Sequence, residues 1–199
     1  MDGDGDLDVL SASRYDDKIA WYENDGCQTF TTHIITTSAL GAWSVFTADV
    51  DSDGDMDVLS ASRDDGKVVW YENNGSQGFT ARVISTTNTA LSVFAADVDN
   101  DGDIDVLAAS HGDDNVAWYE NDGNGSFTTH VITTNADGAH SVFAADVDAD
   151  GDMDVVRAAA TTVLRVARDI VDELAPIAPF DGTRDPQPED HTPAPAVAA

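Results

Sequence analysis

A short acidic segment recurs along the chain and limits how the chain can fold. It reads Asp-Val-Asp-Ser-Asp-Gly-Asp-Met-Asp at residues 49–57, returns at 97–105 and 146–154, and opens the chain as a shortened copy at residues 2–8. Successive copies lie 48 or 49 residues apart. Carboxylates this close together repel one another, so a compact loop of this composition requires a cation. Calcium takes roughly six to eight oxygen ligands, and a glycine lets the backbone turn sharply around it. The pattern therefore predicts a Ca²⁺ site in each full copy.

The spacing of the acids assigns candidate ligands within each loop. The side chains expected to point inward are Asp49, Asp51, Asp53 and Asp57 in one copy, Asp97, Asp99, Asp101 and Asp105 in the next, and Asp146, Asp148, Asp150 and Asp154 in the last. The backbone carbonyl of Asp55 is expected as a further ligand, while the side chains of Asp55, Asp103 and Asp152 are expected to face solvent and strengthen the local field. The first copy keeps only Asp2, Asp4 and Asp8, so its site is expected to be weak or empty.

The charge is concentrated in these loops and excludes several partners. The formal net charge is −29, and residues 1–156 carry 31 acidic against 5 basic side chains, with 19 of the acids in the four loops. Binding to nucleic acid or to an anionic membrane surface is therefore not expected. No apolar run approaches the roughly 18 residues that a membrane-spanning helix needs, so membrane insertion is not expected either.

The only cysteine and the start of the chain carry further expectations. Because Cys27 is the only cysteine, an internal disulfide framework and a cysteine-based zinc site are excluded. The equivalent positions of the next two repeats hold Ser76 and Asn124. No secretory signal precedes the first acidic loop, and Met1 enters a loop already in progress. We expect the chain to be a piece of a longer protein or the product of a truncated gene.

Each repeat contains four short strand patterns and no helical period. In one unit they cover residues 43–49, 57–62, 67–73 and 79–86, and Asn73-Asn74-Gly75 marks a hairpin turn between the last two. A four-stranded antiparallel unit repeated about every 40–50 residues is typical of a β-propeller blade. The predicted fold class is all-β, with blades at about 1–37, 43–86, 91–134 and a partial one at 140–156. The acidic loop would join the first two strands of each blade and pin that hairpin.

The number of blades predicts an incomplete ring. Propellers usually have about four to eight blades, whereas this chain supplies two complete units, three strands of an earlier one and two of a later one. We expect an open arc of about three blades whose exposed edges are liable to edge-to-edge self-association.

The repeated Trp-Tyr pairs and a repeated His or Arg position each allow a functional and a structural interpretation. The pairs Trp21-Tyr22, Trp70-Tyr71 and Trp118-Tyr119 could stack on sugars, but packing between neighbouring blades is the favoured interpretation. One slot of the repeat holds His33, Arg82 and His130 in turn. Because a transition-metal site would not alternate His with Arg, we expect a solvated position beside an acidic neighbour.

These motifs resemble those of a known repeat family. The loop Asp-x-Asp-x-Asp-Gly-Asp-x-Asp-Val-Leu, with Ser-Val-Phe-Ala-Ala before it and Trp-Tyr-Glu-Asn after it, is similar to FG-GAP/VCBS repeats across residues 1–156. The resemblance implies an integrin-like, calcium-bearing propeller on the cell surface or outside the cell, with the metal ligands on the aspartates named above. The literal Phe-Gly and Gly-Ala-Pro marks are absent, which favours the broader bacterial-type repeat. An EF-hand is excluded because its twelfth loop position falls on Ser60, Ala108 or Arg157.

Three functions remain open from the residues alone. The favoured one is a non-enzymatic, calcium-binding module for adhesion or for recognition of an extracellular glycan or protein. The alternatives are a fragment of a propeller-based polysaccharide lyase or hydrolase, and a structural spacer in a larger secreted protein. Every acid and histidine of the repeats sits in a repeated slot, whereas catalysis needs a singular constellation. We therefore expect no enzyme activity.

The repeat pattern stops after residue 156. Val163, Val166, Ile170, Leu174 and Ile177 follow a helical period, which predicts a helix over residues 157–175. All six prolines of the chain lie in the last 24 residues, so residues 176–199 are expected to be a disordered, proline-rich acidic tail.

Overall fold

The computed structural model describes residues 1–159, which form thirteen β-strands and no helix. In chain order the strands are β1 Val9–Ser13, β2 Lys18–Asn24, β3 Phe30–Thr36, β4 Ala42–Ala48, β5 Asp57–Ser62, β6 Lys67–Asn73, β7 Phe79–Thr86, β8 Ala90–Ala96, β9 Asp105–Ser110, β10 Asn115–Asn121, β11 Phe127–Thr133, β12 Ala139–Ala145 and β13 Asp154–Ala159. The strands predicted at residues 57–62, 67–73 and 79–86 match β5, β6 and β7, and β4 begins and ends one residue before its prediction.

Strands that follow one another in sequence pair antiparallel within four separate sheets. The sheets contain β1 to β3, β4 to β7, β8 to β11, and β12 with β13, each in chain order. Strand β1 packs against β4, β4 against β8, and β8 against β12, so the sheets stand side by side as propeller-like blades. Within residues 1–159 these blades do not close into a ring.

The hydrophobic core lies between the blades. Trp70 packs in a cluster with Val93 and Tyr119 of the following blade, whereas Tyr71 packs on the opposite face with Ile19 of the preceding blade. Trp70 and Tyr71 are 2% and 4% exposed. Because consecutive side chains of a strand point to opposite faces, one Trp-Tyr pair joins three blades. The interpretation of the Trp-Tyr pair as packing residues is confirmed for Trp70 and Tyr71.

The second strand of each complete blade is its most buried element. All residues of β5 and of β9 are buried, because each strand has a partner on both edges and a neighbouring blade on both faces. Val58 and Leu59 are fully buried, and each side chain contributes about 1.5–3 kcal/mol through burial. The acidic loops thus connect to the most buried strands of the complete blades.

The strand ladder continues beyond the repeat boundary. In β13, Arg157 pairs with Val142 and Ala158 pairs with Ser141. Residues 157–159 are therefore strand, and the prediction of a helix starting at 157 is wrong for these three residues, since pairing with β12 outweighs the local period. The rest of the predicted helix and the predicted tail at 176–199 lie outside the described residues. Among residues 1–159, no helix is long and apolar enough to cross a membrane.

Candidate metal centre

The acidic loops all lie at one rim of the arc. Each joins the first strand of a blade to the second: residues 49–56 between β4 and β5, 97–104 between β8 and β9, and 146–153 between β12 and β13. Within each loop, carboxylate oxygen atoms from three acids lie within 4.8 Å of one another. The groups are Asp49, Asp51 and Asp53; Asp97, Asp99 and Asp101; and Asp146, Asp148 and Asp154.

Two carboxylate oxygens in these groups are buried without a partner. Asp51 Oδ1 and Asp97 Oδ1 have no hydrogen-bond donor within the described part of the chain. Burial, followed by the charge of Asp53, raises the pKa of Asp51. A buried carboxylate oxygen without a donor is costly unless a cation approaches it. The donor set contains only oxygen, the ligand type that Ca²⁺ prefers, so these residues fit a calcium ion.

Backbone amides fold each loop around its leading aspartate. Asp49 accepts hydrogen bonds from the amide of Asp53 at Oδ1 and from that of Gly54 at Oδ2, both at 3.0 Å. Asp53 Oδ1 accepts one from the amide of Asp55 at 2.9 Å. These bonds turn the carboxylates toward a shared centre and hold them there.

In both complete blades, the last aspartate of the acidic loop lies outside the close oxygen group in which it was predicted. Asp57 is fully buried and accepts hydrogen bonds from the amides of Val50 at 3.0 Å and Asn73 at 2.7 Å. Asp105 does the same with Val98 and Asn121. Neither belongs to the close oxygen groups of its loop. These carboxylates close the base of the loop and tie it to the third strand.

Burial raises the pKa of Asp57 to about 6 and also raises that of Asp105. In the partial blade, Asp154 accepts only the Val147 amide in the described structure and joins the close group, whereas the predicted ligand Asp150 does not. The structure therefore brings together three of the four predicted side chains in each full loop.

The acids that alternate with the predicted ligands, Asp55, Asp103 and Asp152, differ in their exposure to solvent. The carboxylate of Asp55 lies against Gly75, and that of Asp103 lies against Gly123, so closely that a Cβ atom on either glycine would overlap it. Both side chains are half-buried under the neighbouring hairpin, and the expectation that they face solvent is wrong for these two. Asp152 is exposed, as expected.

The first loop gathers no close oxygen group within residues 1–159. Asp4 donates its amide to Asp2, while Asp8 Oδ1 accepts the amide of Asn24 at 2.9 Å. The other oxygen of Asp8 contacts the Met1 ammonium group. The weak or empty site expected at this loop stays a prediction.

Sequence reasoning missed the asparagine that ends each Trp-Tyr-Glu-Asn segment. Asn121 is 1% exposed and donates from Nδ2 to the carbonyls of Val50, at 2.8 Å, and Ile104, at 3.0 Å. It therefore binds the acidic loop of its own blade and that of the preceding blade. The signal was present as an identical residue in three repeats, at a slot where most polar residues would face water.

The alternating His and Arg slot lies beside an acid, as predicted. His33 contacts Glu23 at 2.6 Å, while Arg82 and His130 contact Glu72 and Glu120, both at 2.5 Å. The imidazole rings of His33 and His130 also stack on the tryptophans of their blades, and the guanidinium group of Arg82 lies over Trp70. All six side chains of these pairs are partly exposed to solvent, which agrees with a solvated position beside an acid.

A family of known repeats matches this architecture. The sequence model of the FG-GAP-like repeat matches residues 1–60, 49–108 and 97–156. The chain belongs to the FG-GAP-like repeat family. Each matched FG-GAP-like segment runs from one acidic loop to the end of the next, so the repeats share their loops.

Comparison with solved structures gives a lectin of Agrocybe aegerita, described for its specific recognition of non-reducing terminal N-acetylglucosamine. It shares 20% identity with this FG-GAP-like chain at a TM-score of 0.49, over 75% of this chain and 46% of the lectin. The chain thus spans about half the length of that protein. No curated protein sequence matches it.

Proposed function

We propose that this chain is a calcium-stabilised, non-enzymatic recognition module that binds a glycan or a protein outside the cell. The observation that carries the proposal is the pair of buried, partnerless oxygens on Asp51 and Asp97 within close carboxylate groups. FG-GAP-like repeats commonly bind calcium and are typical of extracellular proteins, which supports both the ion and the location.

Calcium would act on the blade hairpins. The residues that would hold it are the three close groups in the loops at 49–57, 97–105 and 146–154. Each ion would offset two negative charges that otherwise push the ends of the first two strands apart. Extracellular calcium modules have dissociation constants of roughly 10⁻⁴ to 10⁻³ M, which matches the calcium concentration there. The ion would thus keep the rim ordered.

The absence of enzyme activity is part of the proposal. Glycosidases need two carboxylates with different environments on either side of one bond. The acids of residues 1–156 recur at equivalent positions in successive blades, and the buried ones, Asp57 and Asp105, are engaged by backbone amides. An assay on acidic polysaccharides with and without calcium tests this point, and turnover lost through one substitution outside the loops would contradict it.

Calorimetric titration tests the calcium sites. After removal of divalent ions, calcium should bind at about three sites, one for each close carboxylate group, and EDTA should lower the melting temperature by several degrees. Asp101→Ala should remove one site and leave the others nearly intact. Asp137→Ala changes an exposed acid outside the loops and should leave all of them. Equal melting temperatures in EDTA and in millimolar calcium would contradict the proposal.

Recognition itself is tested on an array of glycans and extracellular matrix proteins in millimolar calcium. We expect at least one array component to bind saturably. Failure to bind any component would favour a structural spacer over a recognition module.

A further inference from the structure

Aromatic and basic side chains gather at the rim opposite the acidic loops. Trp43 lies at the start of β4 and is 37% exposed, while Tyr15, in the loop between β1 and β2, is 93% exposed. Arg14 and Arg63 place their guanidinium groups over the Trp43 ring, at 5.3 and 5.9 Å, and the His140 ring meets it edge-on at 5.9 Å. We call these five residues the aromatic rim cluster.

The two aromatic residues of this cluster depart from the repeat. The position of Trp43 holds Leu91 in the next blade, where the side chain is 5% exposed. The position of Tyr15 holds Asp64 in the next blade. The blade fold therefore does not require an aromatic residue at either place. Exposed Trp and Tyr beside Arg are the residue types that dominate binding surfaces.

Arg14 is held in place without a carboxylate partner. Its guanidinium group lies 5.3 Å from the centre of the Tyr15 ring as well as 5.3 Å from that of Trp43. No carboxylate within residues 1–159 forms an ion pair with it, whereas Lys18, Arg63, Lys67 and Arg82 each have one. A guanidinium that lies beside aromatic rings and forms no ion pair keeps its N–H groups available for a planar anion such as a carboxylate.

The strongly negative charge of the chain does not prevent an anion from binding at this rim. Trp43 and the first acid of the loop, Asp49, are six residues apart along β4, which corresponds to about 20 Å at roughly 3.3 Å per residue. The Debye length at physiological salt is about 8 Å, so repulsion from the loops is largely screened at that distance. The two turns that flank the cluster, at residues 14–18 and 63–67, carry four basic side chains (Arg14, Lys18, Arg63 and Lys67) and four acidic ones (Asp16, Asp17, Asp64 and Asp65), so they have no net charge.

We propose that the aromatic rim cluster binds a glycan that contains uronic acid, with Arg14 holding the carboxylate and Trp43 packing against the sugar ring. This inference rests on the proposed recognition function and assigns its surface and ligand class. A uronic acid offers an apolar C–H face and a carboxylate on one rigid ring, so a single residue meets both Trp43 and Arg14. An acidic peptide offers the carboxylate on a flexible side chain and loses more rotamer entropy on binding.

Side chains taken from the other repeats provide test variants that keep the fold. Trp43→Leu introduces the residue found at Leu91, and Arg14→His introduces the residue found at His111. At pH 8 that histidine is neutral, so the second variant removes the charge. Arg82→His introduces the residue of His33 and His130 on the outer strand and is the matched control. Melting temperatures in calcium confirm that each variant is folded.

The probes are immobilised hexasaccharides of glucuronate, galacturonate and mannuronate type, each beside its methyl ester, together with hexaglutamate. We expect at least one uronate to bind in millimolar calcium and its ester to bind about tenfold more weakly. Trp43→Leu and Arg14→His should each weaken binding by about tenfold or more, and Arg82→His should leave it unchanged.

Four results would overturn the inference: no uronate binds, the ester binds equally well, hexaglutamate binds more tightly, or the Trp43 and Arg14 variants bind like the unmodified chain. If a neutral glycan or a matrix protein binds instead, the proposed recognition function stands and only the assigned surface and ligand fail. If nothing binds, both fail.

Discussion

Each acidic loop depends on backbone conformations that few residues adopt. Gly102 has a φ of 99°, and a Cβ atom there would meet nothing within 4 Å. The positive φ of Gly102, and not a shortage of space for a side chain, is therefore the reason for glycine at this position. Asn100 and Ala149 lie at equivalent places in their loops with φ of 62° each, in the left-handed region that asparagine tolerates better than alanine.

Gly102→Ala should therefore destabilise the protein by about 1–2 kcal/mol and weaken calcium binding at its loop, since a side chain disfavours this φ. Denaturant unfolding in calcium measures the first effect and calorimetry measures the second. Asn100→Gly, in the same loop, is the control and should change stability by less than about 0.5 kcal/mol. Wild-type stability of the Gly102 variant would show that the loop relaxes at no cost.

At the scale of strands and loops, buried polar side chains connect each rim loop to the sheet behind it. Asp57 ties the base of its loop to the start of the β6–β7 turn through the amide of Asn73, and Asn73 donates in return to the carbonyl of Met56 at 3.1 Å. Asn121 extends the pattern to the preceding blade by reaching Val50. Adjacent acidic loops are thus joined by hydrogen bonds as well as by the shared core.

Asn121→Ala should cost about 1–3 kcal/mol, because the buried carbonyls of Val50 and Ile104 lose their donor. We also expect weaker calcium binding at residues 49–57, in the neighbouring blade. Asn124→Ala is the matched control: Asn124 is exposed in the adjacent turn and donates only to Asp122 in the described structure. Calorimetry and thermal unfolding distinguish the two variants, and an unchanged loop at 49–57 would refute coupling between blades.

At the scale of the whole molecule, stability depends on contacts between blades and, under the proposed function, on bound cations. The core clusters lie between sheets, so a blade buries its faces only with neighbours, as in other repeat proteins. Against this stands a formal net charge of −29. Binding of calcium, or of protons in its absence, lowers the repulsion, so both should control the stability of the entire arc.

Stability should respond to pH in opposite directions with and without calcium. Burial raises the pKa of Asp57 from 3.8 to about 6, so in EDTA the folded state binds more protons than the unfolded state between these values. The free energy of unfolding should then fall as pH rises from about 4 to about 6, by roughly 3 kcal/mol for this residue. Raised pKa values of Asp51 and Asp105 act in the same direction.

In saturating calcium the trend should reverse over the same pH window, because the ion binds deprotonated carboxylates. Melting temperatures at several pH values in EDTA and in calcium measure both trends. Backbone hydrogen bonds lower the pKa values of Asp25 and Asp122 from 3.8. Protonation of these two carboxylates therefore changes the free energy of unfolding below this pH window. Parallel curves in the two buffers would contradict the binding of calcium by deprotonated carboxylates.

Much of the blade could be predicted from the sequence because its signals are local. The alternation of apolar residues, the Asn73-Asn74-Gly75 turn and the regular return of the acidic loops depend on neighbours in the chain, and they correctly gave β5 to β7. The opposite faces used by Trp70 and Tyr71 follow from strand geometry alone. That the loops offer oxygen donors follows equally from their aspartate content.

The remaining features depend on contacts between residues far apart in the chain. Asp57 was expected at the metal, but its burial between two strands makes it an acceptor for backbone amides. Asn121 reaches a carbonyl in another blade, and Trp43 meets His140 across the intervening blade. The sequence alone thus determined the repeat, its strands and its acidic rim, whereas only the stacking of the blades decided which aspartates remain available to a cation and which exposed side chains meet at the opposite rim.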